Sequence, residues 1–333
     1  MKKILGVAVA SATIATSAFA AKNMENPLFL PESGEIYSKT GLGLMFKVTD
    51  NSENQRLRGR DGAVEFPIWR PQEELGIGIT NRWAVHAIAG YTYDGDANRH
   101  GFHLGRLGTT YRVIDSFDGY VWDLYGDFHL GGIERMKGSL VLSPVTGEPV
   151  FDYKNYSNGR WGAHVGTKFG RTWSRLTTSV FAEVLRTWGN HNNEINVSAI
   201  APMFGGLLPD TLSVDIRSTW EFNAGANVFY QLSDDWSGGL SFRYNYHATN
   251  GLKGVHTHIP AAIQSGVDTL VQRYKDMHDN FSEYIIGLNL AYQLRDSIQI
   301  AWYAENTFDS GDRLCANTTD FKFESGFRLN LRF

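Results

Sequence analysis

The sequence predicts an all-β fold, a transmembrane antiparallel up-and-down β-barrel of about twelve strands. Apolar and polar residues alternate along many segments, so each predicted strand has one apolar and one polar face. Short connections alternate with long ones, and aromatic residues, 13% of the chain, gather near the strand ends. After the first twenty residues the chain has no run of about 18 apolar residues, which a membrane-spanning helix would need.

Residues 1–20 are typical of a secretory signal peptide. Lys2 and Lys3 provide a positive start, a stretch of small and apolar residues follows, and the tripeptide Ala-Phe-Ala at 18–20 matches a cleavage site. We expect cleavage after Ala20, which leaves about 313 residues, 21–333, as the barrel. Removing the two lysines changes the formal net charge from -4 to about -6, a balance too mild to indicate nucleic-acid binding.

The first six predicted strands have apolar or aromatic residues at alternate positions. The second of them runs from about 64 to 80 and is weakened by Pro67 and Pro71, because proline donates no hydrogen bond to a sheet. The outward-facing residues of the six strands, in chain order, are Leu42, Leu44, Phe46 and Val48; Leu75, Ile77 and Ile79; Trp83, Val85, Ala87, Ala89, Tyr91 and Tyr93; Leu107, Thr109, Tyr111 and Val113; Tyr120, Trp122, Leu124, Phe128 and Leu130; Trp161, Ala163, Val165 and Phe169.

The last six predicted strands follow the same rule. Their outward-facing residues are Leu176, Thr178, Val180, Ala182 and Val184; Trp220, Phe222, Ala224, Ala226, Val228, Tyr230 and Leu232; Trp236, Leu240, Phe242, Tyr244 and Tyr246; Tyr284, Ile286, Leu288, Leu290, Tyr292 and Leu294; Ile298, Ile300 and Trp302; Phe321, Phe323, Phe327, Leu329, Leu331 and Phe333. Twelve is an even number, as single-chain bacterial barrels require. Residues 189–212 are irregular, so ten or fourteen strands remain alternatives.

The end of the chain carries the most specific pattern. Residues 327–333 alternate strictly, with an apolar set made of Phe327, Leu329, Leu331 and Phe333. This ending resembles the C-terminal assembly signal of porin-like bacterial outer-membrane β-barrel proteins, which finishes on an aromatic residue. The resemblance implies a place in the bacterial outer membrane, insertion by the barrel assembly machinery, periplasmic chaperones in transit, and lipid and lipopolysaccharide as partners around the belt. It indicates no substrate-specific family.

The connections support this architecture. Short ones are predicted near residues 80–82, 114–119, 172–174, 233–235 and 295–297, and long ones at 49–62, 94–101, 132–160, 189–212, 248–280 and 306–320. Outer-membrane barrels have short periplasmic turns and long extracellular loops. Residues 21–34, which contain Pro27 and Pro31, are expected to form a short periplasmic lead-in.

Charged residues and histidines occupy the polar face of the strands and are the candidates for function. They either line a water-filled pore, or form cross-strand ion pairs that fill a narrow barrel. Twelve strands lie between the filled eight-stranded and the open sixteen-stranded barrels, so size leaves both alternatives open. The predicted pore-lining residues are Arg106, Arg112, Asp123, Asp127, His129, His164, Lys168, Glu183, Glu221, Arg243, Glu283, Glu305, Lys322, Glu324, Arg328 and Arg332.

One long loop is predicted to contain a helix. Apolar residues between Ile259 and Met277 recur at spacings of three or four, and Pro260 suits a helix start. Such a helix in an extracellular loop either folds into the barrel as a plug or lies on its rim.

Signals for an enzyme or a metal site are weak. No histidine is followed by serine two residues later, which disfavours an outer-membrane serine lipase. A hydrolase at the extracellular rim could use Asp94, Asp96, His100 and His103, although loop aspartates are more often turn formers. The pair His256 and His258, with His247 and His278, is more typical of solvated histidines than of a metal site. We therefore assign no catalytic residue, no metal and no cofactor.

The leading functional prediction is a porin-like channel for passive diffusion of small polar solutes. Mixed charges without a ring of one sign predict weak ion selectivity. The alternatives are a closed barrel with a structural, adhesion or surface-interaction role, and an outer-membrane hydrolase with its site at the extracellular rim.

Overall fold

A closed barrel of twelve antiparallel strands dominates the structure, a computed structural model that describes residues 23–48, 67–94, 99–131, 137–142, 147, 149–153, 160–248, 252–276, 280–309 and 321–333. The barrel strands are β1 (Ile36–Val48), β2 (Ile68–Thr80), β3 (Trp83–Asp94), β4 (Arg99–Asp115), β5 (Tyr120–Leu130), β8 (Trp161–Trp173), β9 (Leu176–Thr187), β12 (Thr219–Gln231), β13 (Trp236–Ala248), β15 (Phe281–Arg295), β16 (Ile298–Asp309) and β17 (Phe321–Arg332). The predicted signal peptide and Cys315 lie outside these residues.

The barrel closes where the first strand meets the last. Strand β1 pairs with β17 from Tyr37 opposite Arg332 to Val48 opposite Phe321. Every other barrel strand pairs with its neighbours along the chain, so the topology is up-and-down. We call the end that carries the five short turns, and the paired Ile36 and Phe333, the turn end, and the opposite end the loop end.

The prediction of twelve strands is confirmed, and side-chain exposure explains it. Alternate residues of the strands are large, apolar and exposed; they include Leu107 at 53%, Val165 at 62% and Leu240 at 58%. A water-soluble protein would bury such residues, whereas a membrane barrel presents them to lipid. Exposed tryptophans lie at both rims of this belt, with Trp83 and Trp236 near the turn end and Trp161 and Trp220 near the loop end.

The long loops contain a second sheet that the sequence analysis missed. Its five strands are β6 (Lys137–Leu142), β7 (Pro149–Tyr153), β10 (Asn190–Asn196), β11 (Thr211–Ile216) and β14 (Leu252–Val255), in the order β14-β11-β10-β6-β7. The β10–β11 hairpin continues from the paired barrel strands β9 and β12. The irregular region 189–212 therefore extends the barrel wall beyond the loop end.

The predicted loop helix exists and packs on this second sheet. Helix α1 spans Gln264–Asp276, four residues after Pro260, and a turn precedes it. Its buried residue Val267 joins Val197, Ile200 and Val214 in a hydrophobic core. Among the described residues the helix neither enters the barrel nor lies alone on its rim, because its apolar face is covered by the loop sheet. No helix in the described residues is long and apolar enough to cross a membrane.

Candidate functional site

The turn end of the lumen is occupied by residues 23–31, the N-terminal segment. This segment is part of the predicted periplasmic lead-in, but the structure places it inside the barrel. Met24 and Leu28 are 3% and 4% exposed, and the polar residues Asn23, Glu25 and Asn26 are also buried. Partners come from eight strands around the barrel, so the segment crosses the lumen rather than following one wall.

Glu25 is the charged anchor of the N-terminal segment. Its carboxylate accepts hydrogen bonds from Asn330 Nδ2 at 2.9 Å and from Asn289 Nδ2 at 3.4 Å. It also forms an ion pair with Arg328, whose Nη1 lies 3.2 Å from Glu25 Oε2. The guanidinium of Arg328 in turn lies 4.3 Å from the centre of the Tyr303 ring. A buried carboxylate is stable only with such partners, so strands β15 and β17 are matched to this residue.

Two asparagines attach the segment to three further strands, of which β13 and β16 adjoin the strands that hold Glu25. Asn23 Nδ2 donates to Ser237 Oγ at 2.9 Å, and Asn23 Oδ1 accepts from Gln299 Nε2, also at 2.9 Å. Asn26 Nδ2 donates to Thr177 Oγ1 at 3.0 Å. These partners are uncharged polar residues on the inner faces of β9, β13 and β16.

Two cations of the wall bind the segment's backbone. Lys168 Nζ donates to the carbonyl of Pro27 at 2.8 Å, and Arg112 Nη2 donates to the carbonyl of Leu28 at 2.6 Å. Arg112 is itself held by Asp123, with Nε 2.8 Å from Oδ1 and Nη2 3.1 Å from Oδ2. The predicted pore-lining residues Arg112, Asp123 and Lys168 thus fix the N-terminal segment.

A cavity of about 390 Å³ lies between the N-terminal segment and the strands. Its lining is mixed in character and includes the charged or polar residues Lys39, Glu74, His86, Tyr303 and Glu305. A volume of this size is at the lower end of small-molecule sites. The lumen next to the segment can therefore hold water and small polar solutes.

Farther along the same wall, Asp127 is the centre of a network of titratable groups. Asp127 Oδ1 lies 2.9 Å from His86 Nε2, and Asp127 Oδ2 lies 3.1 Å from His164 Nδ1. The other nitrogen of His164, Nε2, lies 3.3 Å from Glu183 Oε2. Arg106 is at the margin of this network, with Nη1 3.9 Å from Asp127 Oδ2.

Glycine makes this network possible. Gly108 of β4 lies directly opposite both His86 and Asp127 in the two strand pairings that flank it. A Cβ atom there would come within 1.9 Å of Asp127 Oδ1 and 2.3 Å of His86 Nε2. The absence of a side chain lets β3 and β5 bring their polar groups into contact across β4.

A second network joins strands β12, β13, β15 and β17. His247 Nδ1 lies 3.2 Å from Glu221 Oε2, and His247 Nε2 lies 3.1 Å from Glu283 Oε2. Lys322 Nζ lies 3.2 Å from Glu283 Oε1. The two His247 contacts join neighbouring strands, whereas Lys322 reaches Glu283 across β16; all three match the predicted alternative of ion pairs along the wall.

The remaining predicted residues are distributed over the same inner surface. Glu324 forms an ion pair with Arg70 and accepts a hydrogen bond from the Tyr303 hydroxyl at 2.9 Å. Arg332 Nη1 lies 3.5 Å from Glu35 Oε1 near the turn end. The last two predicted residues lie beside these networks. Glu305 lines the cavity, and Arg243 is a half-buried residue of β13.

Sequence reasoning missed Glu25, His86 and Arg70. His86 could have been found, because it alternates with the outward-facing Val85 and Ala87 and so must face inward. No local pattern marks Glu25, since the N-terminal segment has no strand periodicity.

The weaker sequence signals do not assemble into sites among the described residues. His100 lies at the loop end with its Nδ1 2.7 Å from the Tyr91 hydroxyl, while Asp96 and the side chains of Asp94 and His103 lie outside the described part. His256 pairs with Asp215 in the loop sheet, whereas His247 faces the barrel lumen. The rim hydrolase stays a prediction, and His278 also lies outside the described residues.

The closed barrel, its exposed apolar belt and its charged interior define a class: the chain is a transmembrane β-barrel of the bacterial outer-membrane type. No protein-family model and no curated protein sequence matches the chain.

Solved structures give the same architecture. The chain is similar to an outer membrane channel from Pseudomonas putida F1, with 9% identity, 91% of this chain and 97% of that chain covered, and a TM-score of 0.55. It also aligns with the β-domain of the Bordetella autotransporter BrkA (12% identity, 89% and 99% covered, TM-score 0.43) and with the NanC porin (10%, 87% and 98%, 0.39). The first similarity supports the barrel fold alone. The other two have TM-scores below 0.5, and we draw no conclusion from them.

Proposed function

We propose that the chain is an outer-membrane channel for passive diffusion of small polar solutes, with the N-terminal segment as its constriction. The observation that carries this proposal is the 390 Å³ cavity in a charged lumen, bounded at the turn end by residues 23–31. In a barrel with a purely structural role, side chains could fill the interior completely, so a polar cavity of this size favours a channel. Charges of both signs around it, such as Lys39 and Glu74, favour weak ion selectivity.

The mode of attachment of the N-terminal segment supports a constriction that can open. Its anchors are hydrogen bonds and ion pairs to polar side chains, such as Arg328 and Asn330, and water can replace these. No barrel strand has to separate for the segment to leave the lumen, because the barrel closes through β1 and β17 without it.

Single-channel conductance in a planar bilayer tests the proposal. The chain without residues 1–20 is refolded and compared with a variant that also lacks residues 21–31. We expect ohmic steps from both proteins, with a several-fold larger conductance from the shortened one. A control variant, Phe117→Ser, changes an exposed residue in a turn and should conduct like the unaltered chain.

Two results would contradict the proposal in different ways. Absence of conductance from both folded proteins would rule out a channel. Equal conductance from both would keep the channel and remove the constriction at residues 23–31.

The loop sheet favours a second candidate, a closed barrel with a role in surface interaction. The hydrophobic core between this sheet and helix α1 excludes solvent, with Val197 and Ile200 at 0% exposure. Loops that serve only to connect strands do not need such a core. The absence of conductance from the shortened protein is the outcome that would select this candidate.

A further inference from the structure

The inner wall of the barrel holds three side chains whose atoms suit a divalent metal ion. One ligand atom from each of Asp127, His129 and His164 lies within 4.8 Å of the other two. Ligand atoms about 2.1 Å from a tetrahedral zinc ion are about 3.4 Å apart. Small side-chain rotations would therefore bring the three atoms to bonding distance.

Strand register, rather than chance, places these residues together. Asp127 of β5 lies directly opposite His164 of β8. His129 is two residues farther along β5, so it points to the same face of the sheet, and its partner position on β8 is Gly162. The glycine leaves room for the His129 ring, whose centre is 6.3 Å from that of His164.

One candidate ligand nitrogen forms no hydrogen bond within the described part of the chain. His129 Nε2 is buried and has no hydrogen-bond partner there. Buried polar atoms nearly always form a hydrogen bond, so a nitrogen that neither donates nor accepts one needs an explanation. It lies in the same wall as two further candidate ligands, and a metal ion would satisfy it.

The surroundings supply the outer hydrogen bonds that metal ligands require. His164 Nε2 lies 3.3 Å from Glu183 Oε2, which leaves Nδ1 as the ligand atom. The Glu183 carboxylate is fixed in turn by the Tyr125 hydroxyl at 2.6 Å. Asp127 Oδ1 is held by His86 Nε2 at 2.9 Å, which leaves Oδ2 for the ion. A carboxylate behind a ligating histidine is a common arrangement in zinc proteins.

We propose that Asp127, His129 and His164 bind one divalent transition-metal ion of the zinc class, taken up from the lumen. Two imidazoles and one carboxylate suit zinc better than calcium or magnesium, and they leave a fourth position for water. His86 borders both the site and the 390 Å³ cavity, which provides the path of entry. Arg106, with Nη1 3.9 Å from Asp127 Oδ2, is a nearby cation that opposes the binding of a metal ion.

The competing explanation is an ion-pair network without a metal. In that case His164 carries a proton on each nitrogen and pairs with both Asp127 and Glu183. In that network His129 has no role. The protein would then bind no zinc, whether or not the His129 imidazole is present. The two explanations therefore differ in a measurable way.

Isothermal titration calorimetry with zinc chloride tests the site in untagged, chelator-treated protein refolded in detergent. We expect one zinc ion per chain, no measurable binding by His129→Gln or His164→Gln, and affinity about 10- to 100-fold lower for Glu183→Gln. The matched control is His247→Gln, which removes another lumen histidine held by two carboxylates and should leave binding unchanged.

Folding is checked on the same samples by circular dichroism and by the heat-dependent gel mobility of intact barrels. His129→Gln is the safest variant, since its Nε2 has no hydrogen bond to lose in the described structure. Failure of the unaltered protein to bind zinc would overturn the proposal. Unchanged affinity in both folded ligand variants would do so as well. Neither result depends on whether the lumen conducts.

Discussion

Replacing Glu25 with alanine should release the N-terminal segment from the lumen. Glu25 is the only residue of the segment whose side chain carries a charge, and its carboxylate is 4% exposed. Its loss leaves Arg328 without its anionic partner and Asn330 without one acceptor. The substitution therefore destabilises the docked state, in which the segment lies in the lumen. The free energy of the released state, in which the segment is in water, hardly changes.

The size of the effect follows from the contacts. Hydrogen bonds to charged groups contribute about 1.5–3 kcal/mol each, and two of the bonds to Glu25 have ordinary lengths, 2.9 and 3.2 Å. Release of the carboxylate from burial offsets part of this sum. We expect a net cost of about 2–3 kcal/mol, which is a roughly 30- to 150-fold shift toward the released state.

Thiol labelling measures this shift. Met24→Cys, in a background with Cys315→Ser, places a single thiol at a position that is 3% exposed. The rate of reaction with a maleimide then reports the fraction of time the segment spends outside the lumen. We expect Glu25→Ala to raise this rate by the factor given above.

Glu32→Ala is the matched control, because it removes an exposed glutamate just beyond the same segment. Its labelling rate should equal that of the parent protein. Equal rates for Glu25→Ala and Glu32→Ala would refute the reasoning, as would a parent protein that already reacts as fast as an unfolded peptide.

Two further substitutions have controls on the same strand. Gly108→Ala would place a Cβ atom 1.9 Å from Asp127 Oδ1, so we expect at least tenfold weaker zinc binding; Gly105→Ala, with its nearest atom at 3.6 Å, should bind like the parent. Calorimetry decides, and equal affinities would contradict the role of Gly108. Leu288→Arg, in the middle of the exposed face of β15, should cost about 2–4 kcal/mol of unfolding free energy in liposomes. Leu294→Arg, near the turn end of the same face, should cost about 0–1 kcal/mol, and equal costs would mean that the lipid belt is placed elsewhere.

The strands could be predicted because each obeys a local rule. A barrel strand meets lipid on one face and the lumen on the other, so its residues alternate whatever their distant neighbours are. Residues such as Leu240 and Leu288 show this directly: they face each other across β13 and β15, and both are exposed to the membrane. The turns followed from the gaps between alternating segments.

The loop sheet escaped prediction for the opposite reason. Strands such as β6 and β14 are short, and each pairs with a strand of another loop, β6 with β10 and β14 with β11, so neither periodicity nor turn residues mark them. The helix α1 could be recognised from its apolar spacing, but the surface it covers could not, because that surface is built by the loop sheet.

The sequence alone predicted the membrane barrel, a strand number of about twelve and many of the inward-facing charges, since these depend on residues a few positions apart. Only the tertiary structure decided what the interior contains. The contacts of the N-terminal segment join residues 84 to 305 positions apart, as from Leu28 to Arg112 and from Glu25 to Asn330. The grouping of Asp127, His129 and His164 likewise depends on the register of β5 against β8. Strand register and the docking of a non-periodic segment are properties of the closed barrel, and no local pattern encodes them.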